Sequence, residues 1–76
     1  MSLLSRSQIE KLSSIYADEA AMRAIQERID NALKFHNVRH VFGLPRQERS
    51  KLKRLYDLNY IKAYNQMYEK LVGEQQ

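Results

Sequence analysis

The chain has 76 residues, no cysteine, two glycines, one proline and a formal net charge of +4. That length allows one domain, 1–76, with ends 1–6 and 73–76 expected to fray, and a core worth only about 3–5 kcal/mol net. The missing cysteine excludes disulfides and thiolate metal sites, and the few turn formers argue against a sheet protein.

Leu, Ala, Glu, Lys, Arg, Gln and Met dominate, so the expected fold is all-α. Apolar runs are short, far from the ~20 residues that span a bilayer. The opening Met1-Ser2-Leu3-Leu4-Ser5-Arg6 carries neither a basic lead nor an apolar stretch of secretory type. A cytoplasmic protein without a membrane partner is the expectation.

Ser7-Gln8-Ile9-Glu10 has the form of a capping box and predicts a helix from Gln8. Ile9, Leu12, Ile15 and Tyr16 then share one helical face, and Met22, Ile25, Ile29, Ala32 and Leu33 share another. At ~100° per residue the two stripes lie about 100° apart, and Asp18 falls inside the second. The reading is therefore a break near Ala17-Asp18, with Asp18 as N-cap, giving a short helix at 8–16 and a longer one at 19–36.

A connecting turn follows at 37–45, where Gly43 suits a left-handed stop and Pro45 suits the first turn of a new helix. That helix, 46–72, has the strongest periodicity: Leu52, Leu55, Tyr56, Tyr60, Ile61, Tyr64, Met67, Tyr68, Leu71 and Val72. Asn59, Lys62, Asn65, Gln66 and Glu69 lie opposite, and Gly73 marks the stop. Its apolar stripe is about 200° wide, more than one packing partner covers. The expected architecture is an antiparallel helical hairpin or a three-helix unit, dimerising into a helical bundle.

Charge is not spread evenly. Between residues 39 and 54, Arg39, Arg46, Arg49, Lys51, Lys53 and Arg54 stand against Glu48 alone, while both flanking arms are close to neutral. Helix N-termini attract acidic side chains, so a basic helix start runs against stability and points to function. Dipole and side-chain charges add there, which suits phosphate or carboxylate groups. Because burial is expected to begin at Leu52 and Leu55, this segment should project past the core. Arg39, His40, Arg46, Arg49, Lys51, Lys53 and Arg54 are the candidate nucleic-acid contacts, made to phosphates with weak sequence preference. Alternatives are a solvated cluster or docking to an acidic protein surface.

Tyr56, Tyr60, Tyr64 and Tyr68 recur at four-residue steps and, with Met67, form a candidate protein interface or core rim. Tyr56, nearest the basic segment, is the candidate for stacking on bases. His36 and His40 would sit one turn apart on a continuous helix, yet no third ligand is evident, and Asn37 stands where a zinc protease needs Glu. Asp18, Glu19, Glu27 and Asp30 are expected to pair with Arg23 and Arg28 on the surface.

No phosphate loop, nucleophile elbow or dinucleotide motif occurs. The expectation is a non-enzymatic regulatory protein with no metal, cofactor or small-molecule substrate. It binds nucleic acid through 39–54 or, alternatively, grips a protein through the Tyr/Met face of 46–72 or serves as a subunit of a larger assembly.

Overall fold

The computed structural model describes residues 3–74. Helix α1 runs Arg6–His36 and helix α2 runs Arg46–Glu74, joined through a 3-10 turn at Val41–Gly43. Among the described residues there is no strand. The helices pack antiparallel: Ser14 meets Tyr60 while Asp18, one turn on, meets Tyr56, one turn back. The result is a rod of 53 × 17 × 17 Å. Among the described residues no helix is long and apolar enough to cross a membrane.

The expected break at Ala17-Asp18 does not occur, and among the described residues there is no third α-helix; α1 is continuous through both. The buried stripe is neither of the two sets of large residues. It is Ile9, Ser13, Ala17, Ala21, Ile25 and Ile29, one residue in every four. Leu12, Ile15, Tyr16 and Met22, which suggested a misaligned face, are exposed. Small side chains carry the seam through the middle of the helix, so nothing forces a kink.

The N-terminal cap lies two residues earlier than expected. Ser5 Oγ accepts from the Gln8 N–H at 3.1 Å, and the Ser5 N–H donates to Gln8 Oε1 at 2.8 Å. Ser5 and Gln8 form the capping box, and Glu10 instead pairs with Arg6 at 3.2 Å. Arg6, Gly73 and Glu74, expected to fray, are helical; the rest of that expectation, for residues 1–2 and 75–76, lies outside the described residues.

The left-handed stop also falls elsewhere. Asn37, at φ 53°, ends α1, and no glycine has positive φ. The Val38 N–H reaches Leu33 O at 3.0 Å and the Asn37 N–H reaches Lys34 O at 3.2 Å, a Schellman pattern. Asn tolerates this conformation better than any other non-glycine residue. Gly43 serves a different need, because a Cβ there would stand 3.1 Å from Val38 Cβ. Gly73 does not stop α2, which continues to Glu74. Pro45 precedes α2, and its carbonyl accepts from the Arg49 N–H at 3.1 Å.

The connecting segment is part of the core. Leu44 joins Ile25, Ile29 and Leu52, with Ala32, Leu33, Val38, Val41, Leu55 and Tyr56 packed around them. Burial thus begins before α2 starts, and the basic segment flanks this cluster rather than projecting past it.

Candidate nucleic-acid interface

Arg39, His40, Arg46, Arg49, Lys51, Lys53 and Arg54 are all exposed and gather at one end of the rod. Their environments differ. Lys51 lies 3.9 Å from Glu48 and Lys53 lies 3.5 Å from Asp57. No carboxylate among the described residues pairs with Arg39, Arg46, Arg49 or Arg54. Ion pairs as exposed as the two lysine ones are weak and exchangeable, so both lysines remain open to a stronger anion.

Arg46, Arg49 and Lys53 stand at i, i+3 and i+7, one face of α2 over about 10 Å. Arg39 and His40 come from the connecting segment, where the His40 carbonyl accepts from the Gly43 N–H at 2.8 Å. Pro45 has no side-chain oxygen with which to cap α2, and in the first turn of that helix Arg46 and Arg49 outnumber the single carboxylate, Glu48. Arginine is always charged and presents a planar fork matched to phosphate.

Along the same face of α2 the tyrosines form a ladder. Ring centroids are 5.9 Å apart for Tyr56–Tyr60, 6.1 Å for Tyr60–Tyr64 and 6.0 Å for Tyr64–Tyr68, each pair stacked. All four rings are half-buried, as is Met67. Ser14 and Tyr60 share a hydrogen bond of 2.8 Å, and the Tyr56 hydroxyl donates to Asp18 Oδ1. The Tyr56 pKa is pushed up to about 12, first by that hydrogen bond and then by burial and the charge of Asp18. Tyr64 is also raised, by burial and the nearby Glu10. The rings of this row stack on one another, the hydroxyls of Tyr56 and Tyr60 are engaged within the hairpin, and Tyr56 in particular is committed to Asp18 and Tyr60 rather than free to stack on a base.

The aromatics that do stand free near the arginines are Phe35 and Phe42, the most exposed large apolar side chains of the structure. Sequence reasoning passed over both. A signal was present: Phe35 lies off the Ile25–Ile29–Leu33 register, and Phe42 sits between two residues, Val41 and Gly43, that both face Val38 or the core cluster.

His36 and His40 do not share a helix, because α1 ends at His36. Among the described residues no group of three or more His, Cys, Asp or Glu is placed to hold a metal. The surface pairs expected for Arg23 and Arg28 are not those formed; Asp18 accepts from Tyr56 and Asp30 from Gln26 at 3.0 Å. Asn59, expected on the outer face, is half-buried and donates to Leu55 O at 2.8 Å. An open groove between the helices is lined by Ser14, Ile15, Asp18, Glu19, Tyr56, Asp57 and Tyr60. It is acidic, so the rod carries opposite charge at mid-length and at its tip. Comparison with known proteins finds no matching family model, curated protein or solved structure.

Proposed function

We propose that this chain is a non-enzymatic nucleic-acid-binding protein that contacts phosphates with the hairpin tip and works as a homodimer. The observation that carries the reading is the set of four arginines, Arg39, Arg46, Arg49 and Arg54, without a carboxylate partner at one end of an otherwise balanced rod. Fixed contacts of this kind go to the sugar-phosphate backbone and bring little sequence preference.

Replacing Arg46, Arg49 and Lys53 together by Glu tests it. Fluorescence anisotropy with labelled oligonucleotides should show the parent binding with a log–log salt slope of about −3 to −5. The triple variant should lose binding while its circular dichroism stays helical, since all three side chains are exposed. Unchanged affinity would leave the arginines as a solubility device and return the search to a protein partner.

The dimer rests on a separate observation. The chain exposes 6319 Å², whereas a folded monomer of 9.0 kDa exposes roughly 4,900 Å². The radius of gyration, 16.0 Å, likewise exceeds the roughly 11 Å of a globular chain this long. The excess is more than the ~800 Å² per partner of a standard interface. Leu12, Ile15, Met22, Leu58 and Ile61 supply exposed apolar contacts at mid-rod. Light scattering should give twice the chain mass; a strict monomer at high concentration removes this part of the proposal and leaves the tip untouched.

A further inference from the structure

We infer that Phe35 and Phe42 form a base-stacking platform, which makes single-stranded nucleic acid the ligand of the tip; this rests on the reading that the neighbouring arginines hold phosphates. The two rings are 84% and 88% exposed. They are not spill-over from an overfilled core. The cluster at that end is complete with Ile25, Ile29, Leu44 and Leu52, and the neighbours Leu33 and Val41 turn inward to it. The fold would be satisfied by a polar residue at either position.

Both rings stand on fixed backbone. Phe35 occupies the last turn of α1, directly before the Schellman stop at Asn37, and meets His36 edge-on with centroids 4.9 Å apart. Phe42 is the middle residue of the 3-10 turn, which is closed by the Gly43 N–H to His40 O bond and by the Leu44 N–H to Val41 O bond at 3.0 Å. Backbone held this way need not be ordered when a flat partner settles on the ring, which lowers the cost of binding.

The charge around the rings selects the partner. From residue 31 to residue 47 the chain has no acidic side chain, while Lys34, Arg39 and Arg46 lie within it. Flat apolar surface interleaved with cations matches a polymer that offers flat faces and anions at short, regular intervals. A duplex offers the anions but keeps its base faces stacked inside. A single strand offers both, and its bases stack on aromatic rings with little regard to sequence. Phenylalanine has no polar edge atom to read a base, so the platform is sequence-tolerant. The arginine planes beside it stack on bases and fork phosphates with the same group.

The test uses the full chain, an oligothymidylate of about fifteen nucleotides, an abasic strand of equal length and vesicles of anionic phospholipid. The parent protein is expected to bind the thymidine strand at least about tenfold more tightly than the abasic one. The double variant Phe35→Ala/Phe42→Ala should bring the thymidine strand to the abasic level with an unchanged salt slope and unchanged helicity. Equal affinity of the parent for both strands, or no effect of the double variant, overturns the platform and leaves the phosphate reading standing. If neither strand binds at low salt, both the platform and the phosphate reading are overturned. Vesicle binding that needs the two rings, without any strand binding, would make the tip a membrane contact and also sink the inference.

Discussion

The two halves of the α1–α2 interface are built on different principles. Around Ser13, Ala17 and Ala21, which expose no surface at all, the helices touch through small side chains. Around Ile25, Ile29, Leu44 and Leu52 they touch through large ones. The second region contributes apolar area, at about 25 cal/mol per Å². The first contributes little area and depends on how near the two backbones come, with dispersion contacts and the tyrosine ladder along its flank. The bulky cluster holds the tip together, where the connecting segment and the basic residues are. The small seam sets the path of the rod.

If that division is right, enlarging a seam residue has the largest effect. Ala17→Leu adds three carbons where the other helix leaves no room. Overpacking costs about 1–3 kcal/mol in cores that can shift; here relief requires the helices to separate, so the upper end applies. A chain stabilised by about 3–5 kcal/mol then loses most of its folded population at moderate temperature. Thermal unfolding followed by circular dichroism reads this directly. Leu12→Ala, on the exposed face, should stay within about 0.5 kcal/mol at low protein concentration. A larger loss that grows with concentration would locate the dimer contact there.

Two adjacent serines sharpen the comparison with a smaller effect and opposite signs. Ser13 Oγ is buried without a hydrogen-bond partner. Ser13→Ala removes that unsatisfied group and is expected to stabilise by about 1 kcal/mol. Ser14 bonds Tyr60 at the edge of the seam, so Ser14→Ala should destabilise by about 0.5–1.5 kcal/mol. Urea midpoints at constant slope would show the two shifts. A loss at Ser13 equal to that at Ser14 would mean that the seam tolerates polar groups and is not close-packed.

The same contrast explains what could be read without coordinates. The helical class, the connecting turn and the later helix were legible because Leu, Tyr and Met mark a face by their size. The continuity of α1 was not, because its middle is marked by Ser13, Ala17 and Ala21. A reading that weights large residues takes Leu12, Ile15 and Tyr16 for the buried face and inserts a break. The stop at Asn37 was masked by Gly43, whose role is clearance from Val38 rather than backbone freedom. At the tip, the basic residues were visible as composition. Phe35 and Phe42 were given no role, since their exposure is decided by the packing of Leu33, Val41 and Leu44 around them.

The smallest expected effect concerns the ladder that flanks the seam. Tyr56 titrates near 12 in the folded protein because its hydroxyl donates to Asp18, against an ordinary value of about 10. A neutral phenol favoured by folding contributes its stability in full below about pH 10 and loses it as pH climbs from there toward 12. The pair is open to solvent, which holds the contribution below about 1 kcal/mol. Asp18→Asn keeps the shape but removes the charge, so the midpoint of Tyr56 should fall back toward that of a free tyrosine. Tyrosinate absorbance would then lose its latest-titrating component, and unfolding at pH 9 and pH 11 would differ less than in the parent. A late component that survives Asp18→Asn would assign the shielding to ring stacking along Tyr56, Tyr60 and Tyr64. The ladder would then join the seam as a packing element, with Asp18 reduced to a surface contact.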